Sequence, residues 1–93
     1  MKEIDIFYLT SCPFCKNARK AIAELIEEKP AYAELSLRWI EESEEPAIAD
    51  SYDYYSVPSL FYGREKLYEA HFTHNYDKIK ESIRAAFDKV LAA

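Results

Sequence analysis

The chain has 93 residues, of which 49% are hydrophobic, and a net charge of −5 at pH 7. This length predicts a single domain over residues 1–93 with a modest core. The negative charge disfavours nucleic acid and anionic membrane surfaces as partners. No apolar run is long enough to cross a membrane, and the first residues lack a signal-peptide core, so we expect a cytoplasmic protein.

Hydrophobic periodicity predicts a chain of alternating strands and helices in the order β-α-β-α-β-β-α. The predicted elements are a strand over 3–9, a helix over 13–28, a strand over 34–40, a short helix over 46–54, a strand from 57–58 to 62, a strand over 66–70 and a helix over 75–91. The first strand is apolar on both faces, which is typical of a central strand. The strands joined by the first helix should be parallel, and the last two strands should form a hairpin.

The short segment Cys12-Pro13-Phe14-Cys15 joins the first strand to the first helix and contains both cysteines of the chain. Pro13 suits the first helical position, which leaves Cys12 at or beside the N-cap. Free backbone N–H groups and the helix dipole stabilise a thiolate there, and the thiolate is the reactive form. Cys15 lies one turn further into the helix and belongs to its apolar stripe. We therefore expect Cys12 to attack a disulfide and Cys15 to resolve the resulting mixed disulfide.

Two other interpretations of the cysteine pair remain open. Cys12 and Cys15 could form half of a zinc site, with His71 and His74 as the other half. Zinc-binding histidines usually have three to five residues between them, whereas these have two. The pair could also be inert, within a non-catalytic interaction domain. We expect no bound metal, and for the histidines a solvent-exposed or locally hydrogen-bonded role.

A second informative segment begins at Val57-Pro58 and continues into an apolar strand. A proline cannot donate to a strand ladder, so Pro58 marks the entry of that strand. Together with the Cys-Pro-Phe-Cys segment, it makes the whole chain resemble the thioredoxin superfamily in its minimal, glutaredoxin-like form. The resemblance implies a three-layer α/β/α fold with a four-stranded mixed sheet of order 2-1-3-4.

The resemblance also implies a substrate groove beside the dithiol. The Val57–Pro58 bond is then cis, Val57 offers its backbone to an extended substrate, and Pro58 shapes the groove. Pro13 and Phe14 are expected to complete the substrate-binding surface next to the nucleophile. The Gly-Gly-Asp segment with which glutaredoxins bind glutathione is absent, and residues 68–73 occupy its place.

Basic and aromatic side chains near the two motifs are further candidates for substrate binding. Lys16 and Arg19 could place positive charge near the nucleophile or bind a glutathione carboxylate; the alternative is a solvated helix face. Tyr55 is expected to line the groove beside the strand entry. Tyr52 and Tyr54 could do the same, or pack the short helix onto the sheet.

The acidic run over 41–45 is most simply a solvated turn before the short helix, and an acidic docking patch is the alternative. The predicted activity is that of a dithiol–disulfide oxidoreductase with no bound cofactor. Its partners are expected to be disulfide-containing proteins or glutathione, the latter as reductant or substrate, together with a reductase. We expect a monomer.

Overall fold

The computed structural model describes residues 2–93, and the order of strands and α-helices agrees with the prediction. The elements are β1 Glu3–Tyr8, α1 Pro13–Glu28, a 3-10 helix Pro30–Glu34, β2 Ser36–Glu41, α2 Pro46–Asp50, β3 Ser59–Tyr62, β4 Glu65–Glu69 and α3 Tyr76–Ala92. Within residues 2–93, none of the helices has the length and apolar character needed to cross a membrane.

The four strands form one mixed sheet of order β2-β1-β3-β4, as predicted. Strand β1 is parallel to β2, with Ile6 opposite Trp39, and antiparallel to β3, with Ile6 opposite Leu60. Strands β3 and β4 form an antiparallel hairpin with an irregular register between Leu60 and Phe61. Strand β1 is therefore central, and its C-terminal end leads directly to the cysteines.

The side chains of β1 alternate between two hydrophobic clusters, because successive residues of a strand point to opposite faces. Ile4 and Ile6 belong to a main core shared with α1 and α3, and Phe7 belongs to a smaller cluster on the other face. The smaller cluster consists of Phe7, Ile40, Ala49 and Phe61, with Ile48, Tyr52, Tyr54 and Val57 packed against it. The second face is thus covered by α2 and aromatic side chains, which completes the three layers.

Several predicted boundaries were wrong, most of them by one or two residues. The second strand was predicted from residue 34, but the chain forms the 3-10 helix first, with Tyr32 buried and its hydroxyl donating to Asp88 at 2.6 Å. The short helix ends at Asp50 rather than at residue 54, because Tyr52 and Tyr54 leave it to stack on the sheet. Strand β1 ends at Tyr8, one residue before the predicted end.

Three local features match their sequence signals. Asn75 caps α3, and its side-chain oxygen accepts from the Lys78 N–H at 2.9 Å. Asp77 lies in the first turn of α3, where the helix dipole favours negative charge. Gly63 turns the β3–β4 hairpin with a φ of 62°, in the left-handed region that other residues rarely adopt.

We predict that Asn75→Ala lowers the free energy of unfolding by about 1 kcal/mol, the usual cost of losing an N-cap side chain. Urea denaturation followed by circular dichroism measures this change. Thr73→Ala is the control, because the Thr73 hydroxyl contacts the exposed His71 ring and not the helix terminus. Equal losses for both variants would contradict the capping role of Asn75.

Candidate active site

Cys12 is the N-cap of α1, with φ −82° and ψ 122°, and Pro13 occupies the first helical position. The Cys12 carbonyl accepts the N–H of Lys16 at 3.1 Å, so the helix begins on this residue. The Cys12 side chain makes no capping hydrogen bond and is partly exposed. Its Sγ lies 3.8 Å from the carbonyl oxygen of Val57, to which the thiol donates.

Cys15 has a different environment in the first turn of the same helix. Its residue surface is 2% exposed, and its Sγ accepts the N–H of Leu9 at 3.5 Å. Burial raises the pKa of the Cys15 thiol to about 12; the Leu9 N–H opposes this, while the neighbouring Cys12 thiol and the charge of Glu42 add to it. Both cysteines are free thiols. One sulfur is therefore accessible, and the other is held protonated beneath it.

The Val57–Pro58 peptide bond is cis, as the resemblance implied. Pro58 is fully buried, and its carbonyl accepts the N–H of Ala70 at 3.0 Å, which joins the strand entry to the end of β4. Because the Val57 carbonyl contacts the Cys12 sulfur, the structure brings together the two motifs that are far apart in sequence.

Comparison with known proteins adds information about the fold. No protein-family model matches the chain, and no curated protein matches it. A solved structure of a malarial protein superposes with a TM-score of 0.65 at 17% identity, covering 96% of both chains. A mutant thioredoxin from Halobacterium salinarum NRC-1 superposes with a TM-score of 0.58 at 23% identity, covering 91% of this chain and 74% of that one.

The chain has the thioredoxin-like fold. At these identities the similarity establishes architecture only. A thioredoxin-like fold with two cysteines in one helical turn is compatible with a redox function, and the geometry of the individual residues decides how far that can be taken.

Around the two cysteines, the remaining candidate residues differ in exposure. Pro13 and Lys16 are exposed, and Phe14 is partly buried against the main core. Arg19, the other basic candidate, has its guanidinium carbon 4.5 Å from the ring centroid of Tyr8 and 4.4 Å from that of Trp39. Stacking on two rings gives Arg19 a packing role on the sheet, which neither the substrate-binding interpretation nor the solvated-face alternative included.

The three candidate tyrosines divide into two groups. The rings of Tyr52 and Tyr54 lie 4.7 and 4.8 Å from that of Phe7, so these two pack the second face of the sheet. Tyr55, in contrast, is 92% exposed. Its N–H, together with that of the next residue, donates to the Glu69 carboxylate, which fixes the backbone leading to the strand entry.

The histidines form a small cluster of their own. The Nδ1 atoms of His71 and His74 lie 2.8 Å from the hydroxyls of Thr73 and Tyr68, respectively, and the two rings are 5.8 Å apart. Among residues 2–93, no three or more Cys, His, Asp or Glu side chains come together in an arrangement suited to a metal ion.

One residue near the site was missed by the sequence interpretation. Glu41 was included in a solvated acidic turn, but it is only 9% exposed and binds both Thr10 and Ser43. The solvated-turn interpretation is wrong for this residue. The only local signal was the serine two positions after it, since short hydroxyl side chains often bond to neighbouring groups in turns.

We predict that iodoacetamide modifies Cys12 and spares Cys15 in the reduced protein over the neutral and mildly alkaline range. The reason is that a thiol with a pKa of about 12 supplies almost no thiolate there and is also shielded. Peptide mass spectrometry after timed alkylation measures both sites. The unfolded protein in urea is the control, in which both cysteines should react alike. Equal rates in the folded protein would contradict the asymmetry.

Proposed function

We propose that this chain is a dithiol–disulfide oxidoreductase of the glutaredoxin-like type. The observation that supports it best is the asymmetry of the two sulfurs. Cys12 is partly exposed at a helix N-terminus, whereas Cys15 is 2% exposed with its pKa raised to about 12. A nucleophile needs access, and a resolving thiol must be kept from reacting with solvent species before the mixed disulfide forms.

The proposed reaction has two exchange steps. The Cys12 thiolate attacks one sulfur of a substrate disulfide, the S–S bond breaks, and the other substrate sulfur leaves as a thiolate that takes up a proton. Cys15 then loses its proton and attacks the Cys12 sulfur, which releases the remaining substrate thiol and forms a Cys12–Cys15 disulfide. Two electrons pass from the dithiol to the substrate. Two glutathione molecules, or a reductase, return them.

The residues beside Cys12 are proposed to hold the substrate. The Val57 backbone lies next to the Cys12 sulfur and, with the buried cis Pro58, borders the position where a substrate sulfur would approach. Among the exposed side chains, Pro13 and Tyr55 are proposed to offer apolar contact, and Lys16 is proposed to offer positive charge one turn into the helix. Phe14 would contribute through its partly exposed edge.

The substrate is proposed to be a protein disulfide or a glutathione mixed disulfide in the cytoplasm. The segment 68–73, in which the Ala70 N–H bonds to the Pro58 carbonyl, carries side chains where glutaredoxins have glycines. Phe72 in this segment is 78% exposed. Bulk at this position favours a polypeptide over a small ligand that needs close backbone approach.

We predict that the wild type reduces a protein disulfide, that Cys12→Ser abolishes this activity, and that Cys15→Ser traps a mixed disulfide through Cys12. The assays are insulin reduction with dithiothreitol and turnover of a glutathione mixed disulfide coupled to glutathione reductase. Survival of the second activity in Cys15→Ser would indicate a glutathione-dependent mechanism, since that reaction needs only one cysteine.

Inactivity of the wild type toward both substrates would overturn the proposal. In that case, metal analysis of freshly purified protein separates the two other classes. Stoichiometric zinc would indicate a zinc-binding module built on Cys12 and Cys15, and its absence would indicate a non-catalytic interaction domain.

We also predict that Lys16→Gln lowers kcat/KM for an anionic glutathione mixed disulfide by about two- to fivefold, because exposed charge pairs contribute little more than this. The loss should shrink at high salt. Lys20→Gln is the matched control, because Lys20 lies one turn further along α1 with its Nζ 5.1 Å from the Tyr76 ring. Equal losses for both variants would argue against a specific role for Lys16.

A further inference from the structure

Glu41 is a buried carboxylate at the end of β2 that reaches the loop carrying the dithiol. Its Oε1 accepts from the N–H and hydroxyl of Ser43 at 2.7 and 2.6 Å. Its Oε2 accepts from the N–H and hydroxyl of Thr10 at 3.3 and 3.1 Å. Each oxygen therefore has two donors, and the carboxylate joins two loops that are far apart in sequence.

The peptide unit between Leu9 and Thr10 links this carboxylate to the nucleophile. Its N–H donates to Glu41, and its carbonyl, which belongs to Leu9, accepts the N–H of Cys12 at 3.1 Å. A peptide unit is planar, so its N–H and carbonyl turn together. Any rotation that breaks the bond to Glu41 also moves the acceptor that holds the backbone of Cys12.

The same segment contacts the second sulfur. The N–H of Leu9 donates to the Cys15 Sγ at 3.5 Å, one peptide unit before the one that Glu41 holds. This N–H lowers the pKa of the Cys15 thiol, against the larger effect of burial. The backbone that Glu41 fixes therefore carries one contact to each cysteine.

We propose that Glu41 is a positioning residue for the dithiol, acting through the Leu9–Thr10 peptide unit on the backbone of Cys12 and the sulfur of Cys15. The proposal rests on the oxidoreductase function proposed above and adds to it a residue that never touches the substrate. Its charge is part of the role, because only an ionised carboxylate can accept four hydrogen bonds.

The surroundings of Glu41 favour its ionised form. Its hydrogen bonds, those from Ser43 first and those from Thr10 after them, lower the pKa of the carboxyl to about 2 despite burial. Glutamine has one oxygen and one NH₂ group. In Glu41→Gln, the NH₂ group would therefore face two hydrogen-bond donors and could accept from neither. The shorter bonds to Ser43 should keep the amide oxygen, and the contact with Thr10 should be the one lost.

The test compares Glu41→Gln with Ser43→Ala, which removes a bond from the opposite side of the same carboxylate. Two quantities are measured: the dithiol–disulfide equilibrium constant in glutathione redox buffers, and the rate at which Cys15 resolves a preformed Cys12 mixed disulfide. For Glu41→Gln we expect resolution to slow about fivefold and the equilibrium to shift about threefold toward the disulfide, because a hydrogen bond to the reduced sulfur is weakened. Ser43→Ala should change neither by more than about 1.5-fold, since the contact with Thr10 remains.

A second variant keeps the test decisive if Glu41→Gln does not fold. Thr10→Val removes the hydroxyl donor and keeps the N–H, so smaller changes in the same direction are expected. If Glu41→Gln does fold, the double variant with Thr10→Val should show the same changes as Glu41→Gln alone, because both substitutions act on the same contact. Thermal unfolding of each variant shows whether a change in the resolution rate or the equilibrium constant results only from a loss of stability.

The proposal is overturned if Ser43→Ala shifts both quantities as much as Glu41→Gln does, or if folded Glu41→Gln behaves as the wild type. The equilibrium measurement does not depend on turnover. If the wild type reduces no substrate but Glu41→Gln still shifts the equilibrium as expected, the oxidoreductase proposal is refuted and the positioning role of Glu41 remains supported.

Discussion

The site depends on burial of β1 on both of its faces. Ile4 and Ile6 are held in the main core, and Phe7 is held in the aromatic cluster opposite. A shift of one residue along the strand would exchange these faces, so the register of β1 is strongly fixed. Because Leu9 and Cys12 follow within a few residues, the hydrophobic core also determines where both sulfurs lie.

Local signals predicted much of this arrangement. The bounds of α1 could be predicted because Pro13 begins the helix and the apolar stripe ends before Pro30. Asn75 is the cap of α3, and asparagine is a residue type that commonly caps helices. The cis bond before Pro58 was implied by the thioredoxin-like resemblance rather than by any rule of periodicity. The signals for α1 and for the cap of α3 lie within a few residues of the features they predict, whereas the resemblance depends on two distant segments.

The features that were missed depend on contacts between distant parts of the chain. Tyr52 and Tyr54 continue a plausible helical pattern, yet they lie outside α2 because their rings pack against the ring of Phe7. Glu41 resembles its acidic neighbours in sequence, and only the fold places Thr10 within reach of it. Arg19 resembles any solvated helix residue until Tyr8 is seen beneath its guanidinium. Local sequence patterns do not predict such long-range contacts.

The hairpin residue Gly63 is the only glycine of the chain, whereas average usage would give about six in a domain of this size. Glycine has more backbone freedom in the unfolded chain than any other residue, and that freedom is lost on folding. The unfolded chain therefore has a lower conformational entropy than a chain of the same length with the average number of glycines. The small core of this domain therefore has less chain entropy to overcome than its length alone would imply.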